Sequence, residues 1–378
     1  MIQRLLQQQV QSLFSRGKVI LIMGARQVGK STLLNQLFAN QPDVLWLNGD
    51  EDSTQDLFTS PSATRMKAII GNKHTIIIDE AQRIPNIGLT LKIIHDQIAD
   101  INIIATGSSS FELASKTQES LTGRKHEFRM YPISFAEMVN HTNLLDELRM
   151  IPHRLVYGYY PEIISHPGTE ERDLRDLTES YLYKDVLNLE SISKPDKIVR
   201  LLKALAYQIG NQISYNEIGQ LVGLDAKTVE KYLDILEQSY IIFRLGSFSR
   251  NLRNELKQSK KIYFYDLGVR NALIGNFAPI ESRINTDAGA LWENYAIAER
   301  IKYNTYREYY CLPYFWRTQQ QQEIDYVEDK NGQLYAFEFK WNNAKHPKCP
   351  LSFANAYPEA SFQTITPANI EDFIFSPA

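Results

Sequence analysis

The sequence predicts an α/β chain: a parallel sheet flanked by helices, then a helical middle region, then a second α/β domain. Three stretches carry that expectation. "KVILIMGARQVGKSTLLNQLF" (18–38) is an apolar strand, a glycine-containing turn and an apolar helix. "HTIIIDEAQ" (74–82) is another apolar run, ending in two carboxylates. "EIDYVEDKNGQLYAFEFK" (323–340) alternates apolar and charged residues about an Asn-Gly pair, the dipeptide best suited to a two-residue hairpin turn.

The chain has 378 residues, 43% hydrophobic and 22% charged, with a formal net charge of −3. That length exceeds one ordinary domain, and the composition is that of a globular cytoplasmic protein. The expected divisions are 1–140, 141–210, 211–260 and 261–378. No apolar run approaches the roughly 20 residues that span a bilayer, so no membrane association is expected. "MIQRLLQQQVQSLF" (1–14) lacks a signal-peptide core and reads as an amphipathic helix. Cys311 and Cys349 make neither a disulfide framework nor a zinc set. The near-neutral charge argues against a surface coated in basic groups for nucleic acid and leaves only a local groove.

Gly24, Ala25, Arg26, Gln27, Val28, Gly29, Lys30 and Ser31 match G-x-x-x-x-G-K-[ST] in full, with Thr32 following. In such a loop the backbone N–H groups curl around phosphate oxygens at a helix N-terminus. Lys30 is expected to reach the β- and γ-phosphates and Ser31 to ligate Mg²⁺, so ATP or ADP with Mg²⁺ is the implied ligand. Asp79 ends its strand where a carboxylate can hold the magnesium through water, and Glu80 is placed to polarise the attacking water. A strand, "VLWLNGDE" (44–51), precedes the Asp79 strand, and "INIIATGSSS" (101–110) follows it. The interposed strand and the added glutamate mark the P-loop ATPases with an extra central strand, rather than the kinase-like or GTPase branch. Thr106 or Ser108 is a candidate γ-phosphate sensor, the alternative being a turn of small polar residues. Arg124, after a glycine at a strand entrance, is a candidate for transition-state charge, in cis or toward a neighbouring subunit; a plain surface arginine is the alternative.

The combination "GARQVGKST", "IIIDEAQRI", "ATGSSS" and "LTGRKHEFRMYPISFAEM" resembles the bacterial and archaeal AAA+-type ATPases that carry a C-terminal domain of uncharacterised function. The likeness continues through "GYYPEII", "YLYKDV", "KIYFYDLGVRNAL" and "GALWENYAIAE", nearly the whole chain. It implies an AAA+-type ATPase fold for the first third.

Residues 170–209 read as two helices, with Leu174, Leu177, Tyr181 and Val186 near helical spacing and Pro195 breaking the run. Residues 213–248 read as a winged helix-turn-helix: Ile218, Leu221 and Val222 pack one helix, Gly223 turns, Val229, Leu233 and Leu236 pack the next, and "YIIFRL" forms the wing. Its second helix carries Asp225, Lys227, Glu230, Lys231, Asp234 and Glu237, a poor start for DNA affinity. Arg244, Arg250, Arg253, Lys257, Lys260 and Lys261 follow, and contact with a DNA backbone competes with a solvated linker.

With Asn331-Gly332 as the turn, the hairpin register puts Asp325 opposite Glu338, a like-charge rung that normally destabilises a ladder. Lys340 shares their face, while Ile324, Tyr326, Phe337 and Phe339 form the core face. A divalent cation would turn the carboxylates' repulsion into attraction, and Lys340 could orient or deprotonate a water. This D-x₁₂-E-x-K pattern resembles the PD-(D/E)xK nuclease superfamily, whose preceding helix often supplies a glutamate, here Glu293 in "GALWENYAIAERI" (289–301). No proline precedes Asp325, a departure from the name-giving motif. The resemblance implies a restriction-endonuclease-like domain with Glu293, Asp325 and Glu338 as metal ligands. Phe315, Trp316 and Arg317 could stack on a nucleotide or belong to an aromatic core. The chain is thus expected to be an ATPase directed at nucleic acid. The alternative is a nucleotide-gated signalling or scaffolding ATPase acting on protein partners or on itself.

Overall fold

The computed structural model describes residues 1–14, 16–108, 117, 120–181, 194–249 and 260–375. They divide into two compact units, one built on Gln3–Pro132 with Gln238–Tyr240, the other on Ile133–Glu237 and Ile241–Ala378. Among the described residues, no helix is long and apolar enough to cross a membrane.

The first unit runs α1 (Leu6–Leu13), β1 (Val19–Met23), α2 (Lys30–Phe38), β2 (Val44–Asn48), α3 (Asp52–Leu57), α4 (Ala63–Ile70), β3 (Thr75–Asp79), α5 (Ile87–Gln97), β4 (Asn102–Gly107) and β5 (Lys125–Arg129). All its described strands are parallel, in the order β2-β3-β4-β1-β5. β1 reads VILIM and is buried at every position, as a strand covered on both faces must be. β4 lies between β1 and β3, so the central added strand is 102–107, while the strand at 44–51 that the sequence interposes before Asp79 is β2, at the sheet edge. The carboxyl ends of these three strands lie side by side, where open α/β sheets receive ligands.

The second unit opens with α6 (Phe135–His141), α7 (Leu144–Tyr157), α8 (Pro161–Ser165), α9 (Glu170–Tyr181) and α10 (Pro195–Tyr207). Leu174 and Leu177 are buried as their spacing predicts, whereas Val186 lies outside the described residues. Pro195 starts α10 at a position where its missing N–H costs nothing. Next come β6 (Gln212–Ile213), α11 (Tyr215–Val222), α12 (Ala226–Gln238), β7 (Ile242–Ser247) and β8 (Lys260–Phe264). Gly223 adopts φ 72° between α11 and α12. Ile218, Val222, Val229, Leu233 and Leu236 are buried, but Leu221 is 66% exposed and does not pack as expected. It sits on the solvent side of α11.

The chain continues with α13 (Leu267–Ile274), α14 (Ala288–Tyr306), β9 (Leu312–Arg317), β10 (Glu323–Lys330), β11 (Gln333–Phe339), α15 (Leu351–Ala356), β12 (Ser361–Ile365) and α16 (Ile370–Phe375). Strands β9, β10 and β11 are antiparallel, and β12 returns parallel to β11. The expected boundary at 260/261 falls inside β8. β6, β8 and β7 join β9–β12 in one sheet, ordered β12-β11-β10-β9-β7-β8-β6, through a short parallel pairing of Gly246 and Ser247 with Tyr314 and Phe315.

The hairpin pairs Lys330 with Gln333 and Tyr326 with Phe337, the register set by the Asn-Gly turn. One expectation fails. Between Ile324 and Val327, β10 slips by one residue against β9, a β-bulge. Ile324 therefore packs with Val327, Trp316, Leu334, Ala336 and Phe353, while Tyr326, Phe337 and Phe339 pack on Phe373. Phe315 and Trp316 are buried core, not a stacking surface.

Candidate functional site

At the carboxyl end of β1 the chain turns through Gly24–Gly29 into α2. Gly24 is required by space, since a Cβ there would lie 2.0 Å from the Met130 carbonyl oxygen. Gly29 is required by conformation, with φ 96° at the N-cap of α2. Lys30 is 5% exposed, and its ammonium donates to the carbonyls of Gly24 (2.9 Å) and Ala25 (2.8 Å). The Ser31 hydroxyl donates to Asp79 Oδ2 at 2.6 Å. Hard oxygens from the helix start and the β3 end therefore meet, a donor set suited to Mg²⁺.

The end of β4 joins the same cluster. Thr106 Oγ1 donates to Asp79 Oδ1 in a short bond and accepts from the Glu80 N–H at 3.2 Å. Glu80 has φ 50°, left-handed backbone that a residue other than glycine seldom adopts. Gln82, which the sequence reading missed, donates from Nε2 to Glu80 Oε2 (2.6 Å) and Ser108 Oγ (3.1 Å). Thr106 and Ser108 both hydrogen-bond into this polar junction.

Arg124 does not. It precedes β5, whose Lys125 pairs with Val19 at the start of β1, and the Val19 N–H donates to the Arg124 carbonyl. Its guanidinium sits on Asp96 Oδ1 at 2.8 Å, and Arg124 with His95 holds the Asp96 carboxyl below its usual range. The length of β1, about 15 Å at 3.3 Å per residue, separates Arg124 from the phosphate-binding loop. This position rules out the expected cis role. A different arginine braces the loop: Arg4, 6% exposed, donates to the carbonyls of Val28 and Tyr131, each at 2.6 Å. Its place at the start of the amphipathic stretch 1–14 gave no sign of these backbone partners.

A second polar centre lies in the second unit. Asp325 Oδ2 accepts from the Phe339 N–H at 2.9 Å, and Lys340 Nζ donates to Glu338 Oε1 at 2.7 Å. The expected three-carboxylate metal set is not assembled: among the described residues, no group of three His, Cys, Asp or Glu side chains is arranged to hold a metal ion. Glu293 is instead engaged by Lys261 Nζ (3.0 Å) and the Tyr263 hydroxyl (2.5 Å). The same ammonium is 2.5 Å from Glu323 and 4.0 Å from Asp325. Lys261 looked like part of a basic linker in sequence. The alternation of "KIYF" along β8, which places Lys261 and Tyr263 on one face, was the available signal.

Burial and the Glu293 charge push Asp325 up to about 7. Burial and Asp325 likewise raise Glu338. For Lys340, burial opposes the ammonium, but the bond to Glu338 and the nearby carboxylates raise it overall. A carboxyl raised in the folded state binds its proton more tightly there than in the unfolded chain. Its contribution is therefore full below the unfolded value near 4 and is lost as pH rises to about 7. Denaturant midpoints of the second unit should fall between pH 5 and pH 8, and Asp325→Asn should flatten that fall. An unchanged slope in the variant would contradict the assignment.

The basic stretch after α12 is partly spent within the fold. Arg244 pairs with Asp234 (2.7 Å) and with Glu237, and Lys261 is in the cluster just described. Arg250, Arg253 and Lys257 lie outside the described residues.

Residues 16–139 match a family model described as an AAA domain. Residues 148–279 and 288–370 match two models described as domains of unknown function, DUF8612 and DUF4143. The chain is 26% identical over 327 residues to an uncharacterized protein of Mycobacterium tuberculosis, covering 86% of this chain and 70% of that one. It is 24% identical over 271 residues to an uncharacterized protein of Methanocaldococcus jannaschii, covering 66% of this chain and 60% of that one. Among solved structures it is similar to the Walker-type ATPase PABY2304 of Pyrococcus abyssi, at 16% identity and a TM-score of 0.47, over 68% of this chain and 91% of the other. The AAA-domain match and the complete phosphate-binding loop support an ATP-binding P-loop ATPase domain in the first unit.

Proposed function

We propose that the protein binds ATP with Mg²⁺ and hydrolyses it, and that the second unit responds to this cycle. The observation that carries the reading is the junction of Ser31, Asp79, Thr106 and Glu80 beside Lys30. Mg²⁺ held near Ser31 and Asp79 would neutralise charge on the β- and γ-oxygens. The Lys30 ammonium, at the start of α2, folds back onto the loop that would receive those phosphates. Glu80, held by Gln82, is the group that aligns and polarises the attacking water, and Thr106 and Ser108 connect the γ-phosphate end to Asp79 and Gln82.

For the second unit, the reading is a restriction-endonuclease-like core acting on nucleic acid. The element order supports it: a long helix α14, the antiparallel β9–β10–β11, helix α15, and β12 parallel to β11. Asp325 and Glu338 would hold a divalent metal, which would polarise a phosphodiester, and Lys340 would orient the nucleophile. A second reading, a nucleotide-gated ATPase that acts on protein partners or on another copy of itself, is favoured by two observations. Lys261 already engages Glu293, and Arg244 is paired within the fold rather than offered to a phosphate backbone. Incubation with single- and double-stranded DNA and RNA, in Mg²⁺ and in Mn²⁺, separates them. Cleavage that disappears in Asp325→Ala and Lys340→Ala while ATP turnover persists supports the first. Intact substrates and no salt-sensitive DNA binding support the second.

A further inference from the structure

We infer that Lys261 is the built-in cation of the second unit's acid cluster, taking the place between Glu293, Glu323 and Asp325 that a divalent ion would otherwise fill. Lys261 is 2% exposed, far too buried for an ordinary surface lysine. Its ammonium lies 3.0 Å from Glu293, 2.5 Å from Glu323 and 4.0 Å from Asp325, so three carboxylates from α14 and β10 surround one charge. An ammonium has three donors and no acceptor, which suits a position beside several carboxylate oxygens. The Phe315 ring lies 5.5 Å from the same ammonium and closes another side of it. The Tyr263 hydroxyl adds a neutral donor to Glu293. A simple ion pair would need one acid, whereas this lysine serves a cluster contributed by separate elements.

The consequence concerns metal. A divalent ion held by Glu293 and Asp325 together would meet the Lys261 ammonium at close range, and the buried lysine would lose Glu293 and keep only Glu323 as a counter-ion. The wild-type cluster is therefore biased against divalent cations and is held together without them. The nuclease-like reading makes a divalent ion the expected occupant beside Asp325; this inference goes beyond that reading by holding that the wild-type cluster stays metal-free, which favours the second reading.

The test compares wild type and Lys261→Met in the full chain, without nucleotide, by Mn²⁺ titration and by unfolding midpoints in EDTA and in Mn²⁺. Removing the ammonium should lower the midpoint in EDTA. Mn²⁺ should then restore it, with binding at least tenfold tighter than in wild type, whose midpoint should not respond. Equal Mn²⁺ responses in the two proteins would overturn the inference, as would tight Mn²⁺ binding by the wild-type cluster. Should Lys261→Met fail to fold, Lys261→Met with Asp325→Asn removes one charge of each sign. It should fold and lack the Mn²⁺ response; failure of this pair to recover folding would also overturn the inference. Metal-dependent cleavage by wild type that is lost in Asp325→Ala would likewise overturn the inference, whereas absence of cleavage with the difference in Mn²⁺ binding intact removes the nuclease-like reading and leaves the inference standing.

Discussion

Glu80→Gln should lower ATP turnover by at least about 10²-fold, the usual scale for a positioned general base, while ATP binding persists. The substitution keeps the size and shape of the side chain and removes the charge that polarises water. Nothing that Glu80 does for the phosphate loop should change: its N–H still reaches Thr106, and Ser31 still meets Asp79. Phosphate release under saturating ATP measures the loss, and a binding titration without turnover measures what is retained. A variant that turns over ATP at the wild-type rate would place the base elsewhere. The left-handed backbone at Glu80 fits this role, since residues held in such conformations cluster at functional sites.

Arg300→Met should destabilise the second unit by about 3–5 kcal/mol, the cost of breaking a buried ion pair by removing one partner. Arg300 and Glu328 are 1% and 0% exposed at their side chains. Arg300 donates through Nε and Nη2 to the two oxygens of Glu328, each at 2.8 Å. Asn304 and Tyr326 also donate to Glu328, at 3.0 and 3.1 Å. Without Arg300 that carboxylate stays buried with only neutral donors. Arg300 also donates to the Phe373 carbonyl at 2.7 Å, so α16 loses an anchor on α14. Denaturant unfolding of the second unit reads the loss. The double variant Arg300→Met with Glu328→Leu should recover part of it, because no unpaired charge remains.

The first unit was largely legible because its signals are local. Phosphate binding needs glycines, a lysine and a hydroxyl at fixed spacing, and buried parallel strands read as continuous apolar runs. What spacing cannot reveal is which end of a strand a residue occupies relative to the ligand, and the cis role offered for Arg124 fails for that reason. Arg4 was invisible because its partners, the carbonyls of Val28 and Tyr131, are backbone groups far along the chain. In the second unit, the Asn-Gly turn fixed the hairpin register and brought Asp325, Glu338 and Lys340 to one end of it. The bulge at Ile324–Val327 depends on pairing with β9, which the hairpin's own residues do not encode. Lys261 was read only as a backbone contact or part of a solvated linker, and the buried partners Arg300 and Glu328 drew no reading. Each is buried because an opposite charge arrives from another element, a long-range fact with no local pattern.

The central claim is that Lys30, Ser31, Asp79 and Glu80 form a nucleotide site, and the measurement that meets it most directly is a calorimetric titration of the Glu80→Gln protein with ATP and Mg²⁺. Saturable binding at one site per chain, lost when Lys30→Ala is added and weakened when Mg²⁺ is withheld, is the predicted result. Absence of ATP binding, or binding indifferent to Lys30, would contradict the account.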